Sequence, residues 1–95
     1  MLFEWDPVKA DINIKKHGIS FEIAQTIFDD PFHLSILDSM RHHEERWVTI
    51  GQSVDAHVLV VVHLYRLIKD DCEWIRIISA RQATRKERKQ YEKRI

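Results

Sequence analysis

Ninety-five residues, 44% apolar and 32% charged, with a formal charge of zero, describe a single globular domain over 1–95 and exclude a disordered chain. The lone Cys72 excludes an internal disulfide, and no apolar run approaches the roughly 20 residues that span a bilayer. The acidic, Trp-containing start Met1–Asp6 is no signal peptide, so a cytoplasmic protein without membrane contact is expected.

In chain order, Asp6-Pro7 opens a helix over Val8–His17, because Asp caps and Pro is pre-set for the first helical position. Ile12 is expected inward and Lys9, Lys15 and Lys16 outward; Gly18 suits the left-handed closing position. Ser20 offers a second N-cap with Glu22 in the first turn, and Phe21, Ala24, Ile27 and Phe28 form an apolar face. Asp29-Asp30-Pro31 stops that helix. The period then changes to two: Phe32–Leu37, Arg46–Ser53, His57–Ile68 and Glu73–Ala80 read as strands, and Ser39–Glu45 as a loop. The links Ser53–Ala56 and Lys69–Cys72 are short enough for hairpins, which makes the four strands antiparallel. Thr84 caps a last helix running through Tyr91 to the C-terminus, with Glu87 completing a capping box. The fold class is α+β, in the order α-α-β-β-β-β-α.

Charge is unevenly spread. Arg81, Arg85, Lys86, Arg88, Lys89, Lys93 and Arg94 oppose only Glu87 and Glu92 in the last fifteen residues, whereas Ser20–Glu45 holds six acids against Arg41. Such asymmetry attracts a polyanion or marks a solvated helix with an acidic opposite side. Alternation in the third strand puts Val58, Val60, Val62 and Leu64 on an apolar stripe, expected to be the core, and His57, Leu59, Val61, His63 and Tyr65 on a mixed one. Val48, Ile50, Ile75 and Ile77 are expected to join the core. Trp47, Thr49, Trp74, Arg76 and Ile78 fall opposite, with Tyr65 facing Arg76 and Trp47 near His63. An exposed set of Trp47, His63, Tyr65, Trp74 and Arg76 can hold RNA, through phosphate pairing, base stacking and proton transfer, or can meet a protein partner.

Other chemistries have weaker support. His42-His43 are adjacent in a loop, and His57 and His63 lie about 20 Å apart along a strand, so no metal-ligand spacing emerges and no cofactor is expected. Gly18 and Gly51 are the only glycines, which leaves no phosphate loop. Cys72 sits among Asp70, Asp71 and Glu73, which oppose a thiolate. Lys16-His17 ends a helix, where a cation already favours the dipole.

Two segments carry a resemblance. Phe3-Glu4-Trp5-Asp6-Pro7, with Lys9-Ala10, Asn13, Lys16-His17-Gly18-Ile19-Ser20-Phe21-Glu22 and Phe28-Asp29-Asp30-Pro31, resembles the opening of BrnT-type toxins. Arg76-Ile77-Ile78-Ser79-Ala80-Arg81, then Ala83-Thr84, Glu87-Arg88 and Tyr91-Glu92, is similar to that family's closing signature. The resemblance implies a RelE-related fold with RNA over one sheet face, and a ribonuclease that is the toxin of a type II toxin–antitoxin pair and inhibits translation. It also implies a BrnA-type ribbon-helix-helix antitoxin, with operator DNA met only through the complex. The chemistry implied is metal-independent attack of a ribose 2′-hydroxyl on the adjacent phosphate. Arg76 and Arg81 would supply the cations, supported by Arg66, Lys16 and Arg85 with Trp47 and Trp74 against the substrate. His17, His63, Tyr65, Glu87 and Tyr91 are the proton-transfer candidates. Alternation sets Arg81 on the opposite face from Arg76 unless the chain twists at the strand-to-helix corner; Arg81 can instead bind Glu87. The stretch Leu64–Asp71 departs from the family, which is expected to turn on a glycine. Two other readings are a non-catalytic module that acts as co-repressor with a ribbon-helix-helix protein, and a direct nucleic-acid binder using the basic C-terminal helix.

Overall fold

The computed structural model describes residues 1–41 and 43–93; His42, Arg94 and Ile95, named above, lie outside them, and of Arg41 only the backbone is described. The elements are β1 (Leu2–Glu4), α1 (Pro7–His17), α2 (Phe21–Ala24) running into a 3₁₀ turn (Gln25–Asp29), β2 (Leu34–Arg41), β3 (Glu44–Gln52), β4 (Val58–Leu67), β5 (Glu73–Gln82) and α3 (Arg85–Glu92). The caps lie where their residue types put them. Asp6 accepts from the Val8 N–H at 2.8 Å, Gly18 closes α1 at φ 71°, and Ser20 accepts from Ile23 at 3.1 Å. Thr84 and Glu87 form the capping box of α3.

The sheet has five strands in the order β1-β5-β4-β3-β2, which corrects the expected four-stranded antiparallel sheet. β1 pairs parallel to β5, Leu2 with Trp74 through Glu4 with Arg76, and the other pairings are antiparallel. Three residues carry no periodic pattern of their own; β1 exists because β5 offers an open edge and Phe3 packs against the core. The expected Ser39–Glu45 loop supplies the ends of β2 and β3. At the β4–β5 turn Asp70 and Asp71 hold φ of 60° and 61°, filling with aspartates the left-handed positions that glycine usually takes.

The core lies on the face opposite to the one expected. Phe21, Ala24 and Ile27 are fully buried against Leu59, Val61, Ile75, Ile77 and Ala80, and each large side chain removed from water contributes about 1.5–3 kcal/mol. This inner face carries Thr49 and His63, both buried. The apolar stripe Val58, Val60, Val62 and Leu64 points to the outer face, where only Val60 is buried. Both stripes of β4 are apolar at their centres, so apolarity alone cannot decide between them. The helices settle on the inner one because its polar groups satisfy one another, as described below. On α1 the inward positions are Ala10 and Asn13, and Ile12 is 55% exposed, contrary to expectation. Gly51 lets β3 pass under the 3₁₀ turn: a Cβ there would lie 3.1 Å from the Ile27 carbonyl oxygen.

Candidate functional site

β5 carries the residues that matter most, and its irregularity decides where they point. His63 pairs with Ile77 and Val62 with Ser79, so Ile78 is an extra residue, a β-bulge. Before the bulge Arg76 stands opposite Leu64, and after it Arg81 stands opposite Val60. Both partners belong to the same stripe of β4. The bulge therefore returns Arg81 to the same outer face as Arg76, where strict alternation would separate them. The expected Tyr65–Arg76 pairing is replaced by Tyr65–Ile75, a one-residue slip that sends Tyr65 and Arg76 to opposite faces.

Each arginine is held by a carboxylate. Arg76 Nη1 donates to Glu4 Oε1 at 3.0 Å, and Arg81 makes a two-pronged contact with Glu87 at 2.8 and 3.0 Å. Glu87 also accepts from the Thr84 N–H at 2.8 Å. The Arg81 hydrogen bond, against a smaller opposing effect of burial, holds the Glu87 carboxyl at about 2, and Glu87 raises the Arg81 guanidinium in return. Further along the outer face Arg66 stacks over the Trp74 ring at 5.3 Å, the geometry of a stacking platform. The short helix α3 crosses one end of this face over Leu34, Val48, Ile50 and Val60, presenting Arg85 and Lys89 to solvent. Tyr91 anchors it: its hydroxyl donates to Asp30, which also accepts from Gln52 and Phe32. Burial, then Asp30, pushes the Tyr91 hydroxyl up to about 12, so it is a weak acid at neutral pH. The same hydrogen bonds hold Asp30 below its ordinary value although burial opposes them.

The remaining candidates lie elsewhere. Trp47 and His63 are cross-strand partners as expected, but they share the inner face with Tyr65. Leu64 O can only accept, so His63 Nδ1–H donates to it at 3.1 Å and Nε2 accepts from the Thr49 hydroxyl at 2.7 Å; Thr49 in turn accepts from Ser35 at 2.7 Å. Phe28 closes edge-on at 5.0 Å. Burial holds His63 below its ordinary 6.5, so it is neutral in the fold. An unfolded chain protonates this histidine more readily. Its contribution to stability is therefore complete above about pH 6.5 and is lost as the pH falls through that value towards the lower folded one. The melting temperature is expected to drop between about pH 7.5 and 5.5, and the drop should shrink in His63→Gln, which keeps an acceptor for Thr49. An equal drop in both proteins would assign the effect to other groups.

Lys16 and His17 are exposed at the end of α1, lining a shallow cleft with Ile78 and Ser79 on the bulge. They flank the strand that carries the arginines without sharing its outer face. Three features escaped sequence reasoning. Glu4 is a partner of Arg76 because an unexpected strand brings it there, and Ser35 contacts Thr49 only through register. Asn13, noticed only as part of a motif, is buried and donates to Ile19 O and Ala80 O at 2.9 and 2.8 Å while accepting from Ala80 N–H at 3.1 Å. The available signal was its spacing, three residues after Ala10 and so on the same face of α1. Among the described residues no three His, Cys, Asp or Glu side chains gather into a metal-holding group, and no helix is long and apolar enough to cross a membrane.

Compared with known proteins, residues 5–87 match the model of a family described as "Ribonuclease toxin, BrnT, of type II toxin-antitoxin system". No curated protein matches the chain in sequence.

Proposed function

The chain belongs to the BrnT family of ribonuclease toxins of type II toxin–antitoxin systems, and from that premise we propose that it cuts RNA on the outer face of its sheet, at Arg76 and Arg81, without a metal ion. The observation that carries the site is the bulge at Ile78, which brings two guanidiniums five positions apart to one face. A phosphate takes the place of the carboxylates: Arg81 turns its two donors from Glu87 to the phosphoryl oxygens, and Arg76 does the same from Glu4. Glu87 then loses the largest influence holding its pKa down and rises towards the ordinary carboxylate range. It accepts the 2′-hydroxyl proton while the 2′-oxygen attacks phosphorus, and the departing 5′-oxygen takes a proton from water. Arg76 and Arg81 offset the charge of the phosphorane. Trp74 with Arg66 stacks a neighbouring base, and Arg85, Lys16 and His17 supply positive field at the margins. His63, Tyr65 and Tyr91 are left out of the chemistry, since each spends its polar atoms within the fold and the first two lie on the inner face.

Two N-terminal helices on one face and a C-terminal helix on the other support a RelE-related fold, acting in the cytoplasm. The antitoxin is proposed to be of the BrnA type, a ribbon-helix-helix protein that brings the complex to operator DNA. The resting pairs Arg76–Glu4 and Arg81–Glu87 also suit a non-catalytic co-repressor, so one experiment separates the two. Purified chain, free of partner, is incubated with RNA with and without EDTA, beside Arg76→Ala. Cleavage that survives EDTA and falls about tenfold or more in the variant is expected. Intact RNA at stoichiometric wild-type protein would leave the co-repressor reading in its place.

A further inference from the structure

The helices leave part of the inner face open, and a cleft of about 290 Å³ sinks there between the start of β1, the 3₁₀ turn and the ends of β3, β4 and β5. Its walls include Trp47 and Tyr65, whose ring centroids are 6.2 Å apart at 70°. The polar tip of each ring is tied to a carboxylate: Trp47 Nε1 donates to Glu45 at 3.0 Å, and the Tyr65 hydroxyl donates to Glu73 at 3.1 Å. Glu45 is also the direct cross-strand partner of Tyr65, so two negative charges flank one aromatic. Burial first, then Glu73 and Glu45, push the Tyr65 hydroxyl above its ordinary value. Among the described residues neither Glu45 nor Glu73 is in an ion pair. The surround is apolar and open: Leu37, Met40 and Leu67 are 46%, 62% and 59% exposed, and pairing puts all three on this face.

Exposed apolar surface around a charged centre is the pattern of an interaction site. The sign of that centre selects the occupant. Two carboxylates repel RNA, whereas a guanidinium or ammonium between aromatic rings gains both ion pairing and cation–π attraction. On this chain α1 also exposes Val8, Ile12 and Ile14 beside Lys9, Lys15 and Lys16, so a second copy is the competing occupant that the test must exclude. We propose that this acidic aromatic cleft is the docking surface for the protein antitoxin, and that it takes an Arg or Lys side chain flanked by apolar residues. The identity of the partner rests on the toxin reading, but the chemistry of the cleft does not depend on RNA cleavage. Docking on the inner face leaves the arginines of the outer face uncovered by this contact.

The test follows the Trp47 indole N–H by NMR in the ¹⁵N-labelled full chain, assigned with Trp47→Phe, against the capped peptides acetyl-Leu-Arg-Leu-amide and acetyl-Leu-Glu-Leu-amide. The arginine peptide is expected to shift the Trp47 signal saturably and the glutamate peptide to leave it in place. Glu45→Gln and Glu73→Gln, each of which keeps an acceptor for its aromatic partner, should weaken the arginine peptide about two- to fivefold apiece. Equal response to both peptides, or to neither, overturns the proposal. A Trp47 shift on adding a single-stranded RNA, or on concentrating the protein alone, overturns it in favour of RNA or of a second copy. Peptide binding in a protein that never cleaves RNA would sink the ribonuclease reading and leave the docking surface standing.

Discussion

Arg81→Ala is expected to lower RNA cleavage by about 10²- to 10³-fold while moving the melting temperature by only a few degrees. The contrast follows from the two roles of one side chain. A guanidinium facing the phosphorane acts where charge develops and water is thinned, and loss of such a donor costs roughly 2.7–4 kcal/mol of transition-state stabilisation. Its resting ion pair with Glu87 joins side chains that are 42% and 32% exposed, and screening at such a site limits the pair to about 1 kcal/mol or less. Arg81→Lys keeps the charge but loses the two-pronged donor, so it should recover only part of the rate. Glu87→Gln completes the set: it retains an acceptor for Thr84 and hence the cap, while removing the proposed base. Single-turnover cleavage of a defined RNA by the four proteins reads out both roles. Arg81→Ala with wild-type cleavage would move the chemistry away from this face.

Asn13→Ala is expected to cost about 3–5 kcal/mol of stability, because it orphans three buried backbone groups at roughly 1–3 kcal/mol each before any relaxation. A small domain holds only about 5–15 kcal/mol in total, so the urea midpoint should fall sharply, or the variant should fail to accumulate. Asn13→Asp should be worse, since a carboxylate would face the Ile19 and Ala80 carbonyl oxygens with nothing to donate. The neighbouring exposed positions provide the control: Ile12→Ala, on the same helix and 55% exposed, should stay within about 0.5 kcal/mol of wild type. A loss below about 1 kcal/mol for Asn13→Ala would mean that water replaces the side chain at the α1–β5 junction. Because Ala80 directly precedes Arg81, partial loss of this clamp should also blur the position of the guanidinium and lower cleavage beyond what the folded fraction explains.

What could be seen in the sequence is whatever depends on neighbours in the chain. Asp6, Gly18, Ser20 and the Thr84–Glu87 box act over three or four residues, and all four appear where their chemistry puts them. The hairpin link Ser53–Ala56 was legible for the same reason, and so was the contact of Arg81 with Glu87. The parts that were not legible depend on distant partners. β1 needs the edge of β5, more than seventy residues away, before three residues become a strand. The choice of core face turned on the Ser35–Thr49–His63 chain, which joins three strands, whereas the valine count of β4 favoured the wrong side. For the candidate site, residue type alone marks Arg76, Arg81, Arg66, Trp74 and Glu87 as candidates, but their grouping depends on strand register. A hairpin register one residue off groups Trp47, His63 and Tyr65 with Arg76, whereas Tyr65 pairs with Ile75.

The extra residue at Ile78 turns the spacing between Arg76 and Arg81 into a parity rule. Chain length between them matters here more than side-chain identity: deleting one residue from Ile77–Ser79 would restore flat pleating and also change five positions to four, an even number. Both arginines would then still share a face, but without the kink that re-aims the strand into α3. Inserting one residue into a straight strand with a spacing of four would do the reverse. Length variation at this point is therefore readable in any related chain as a choice between a straight strand and a bent one, before a single contact is known.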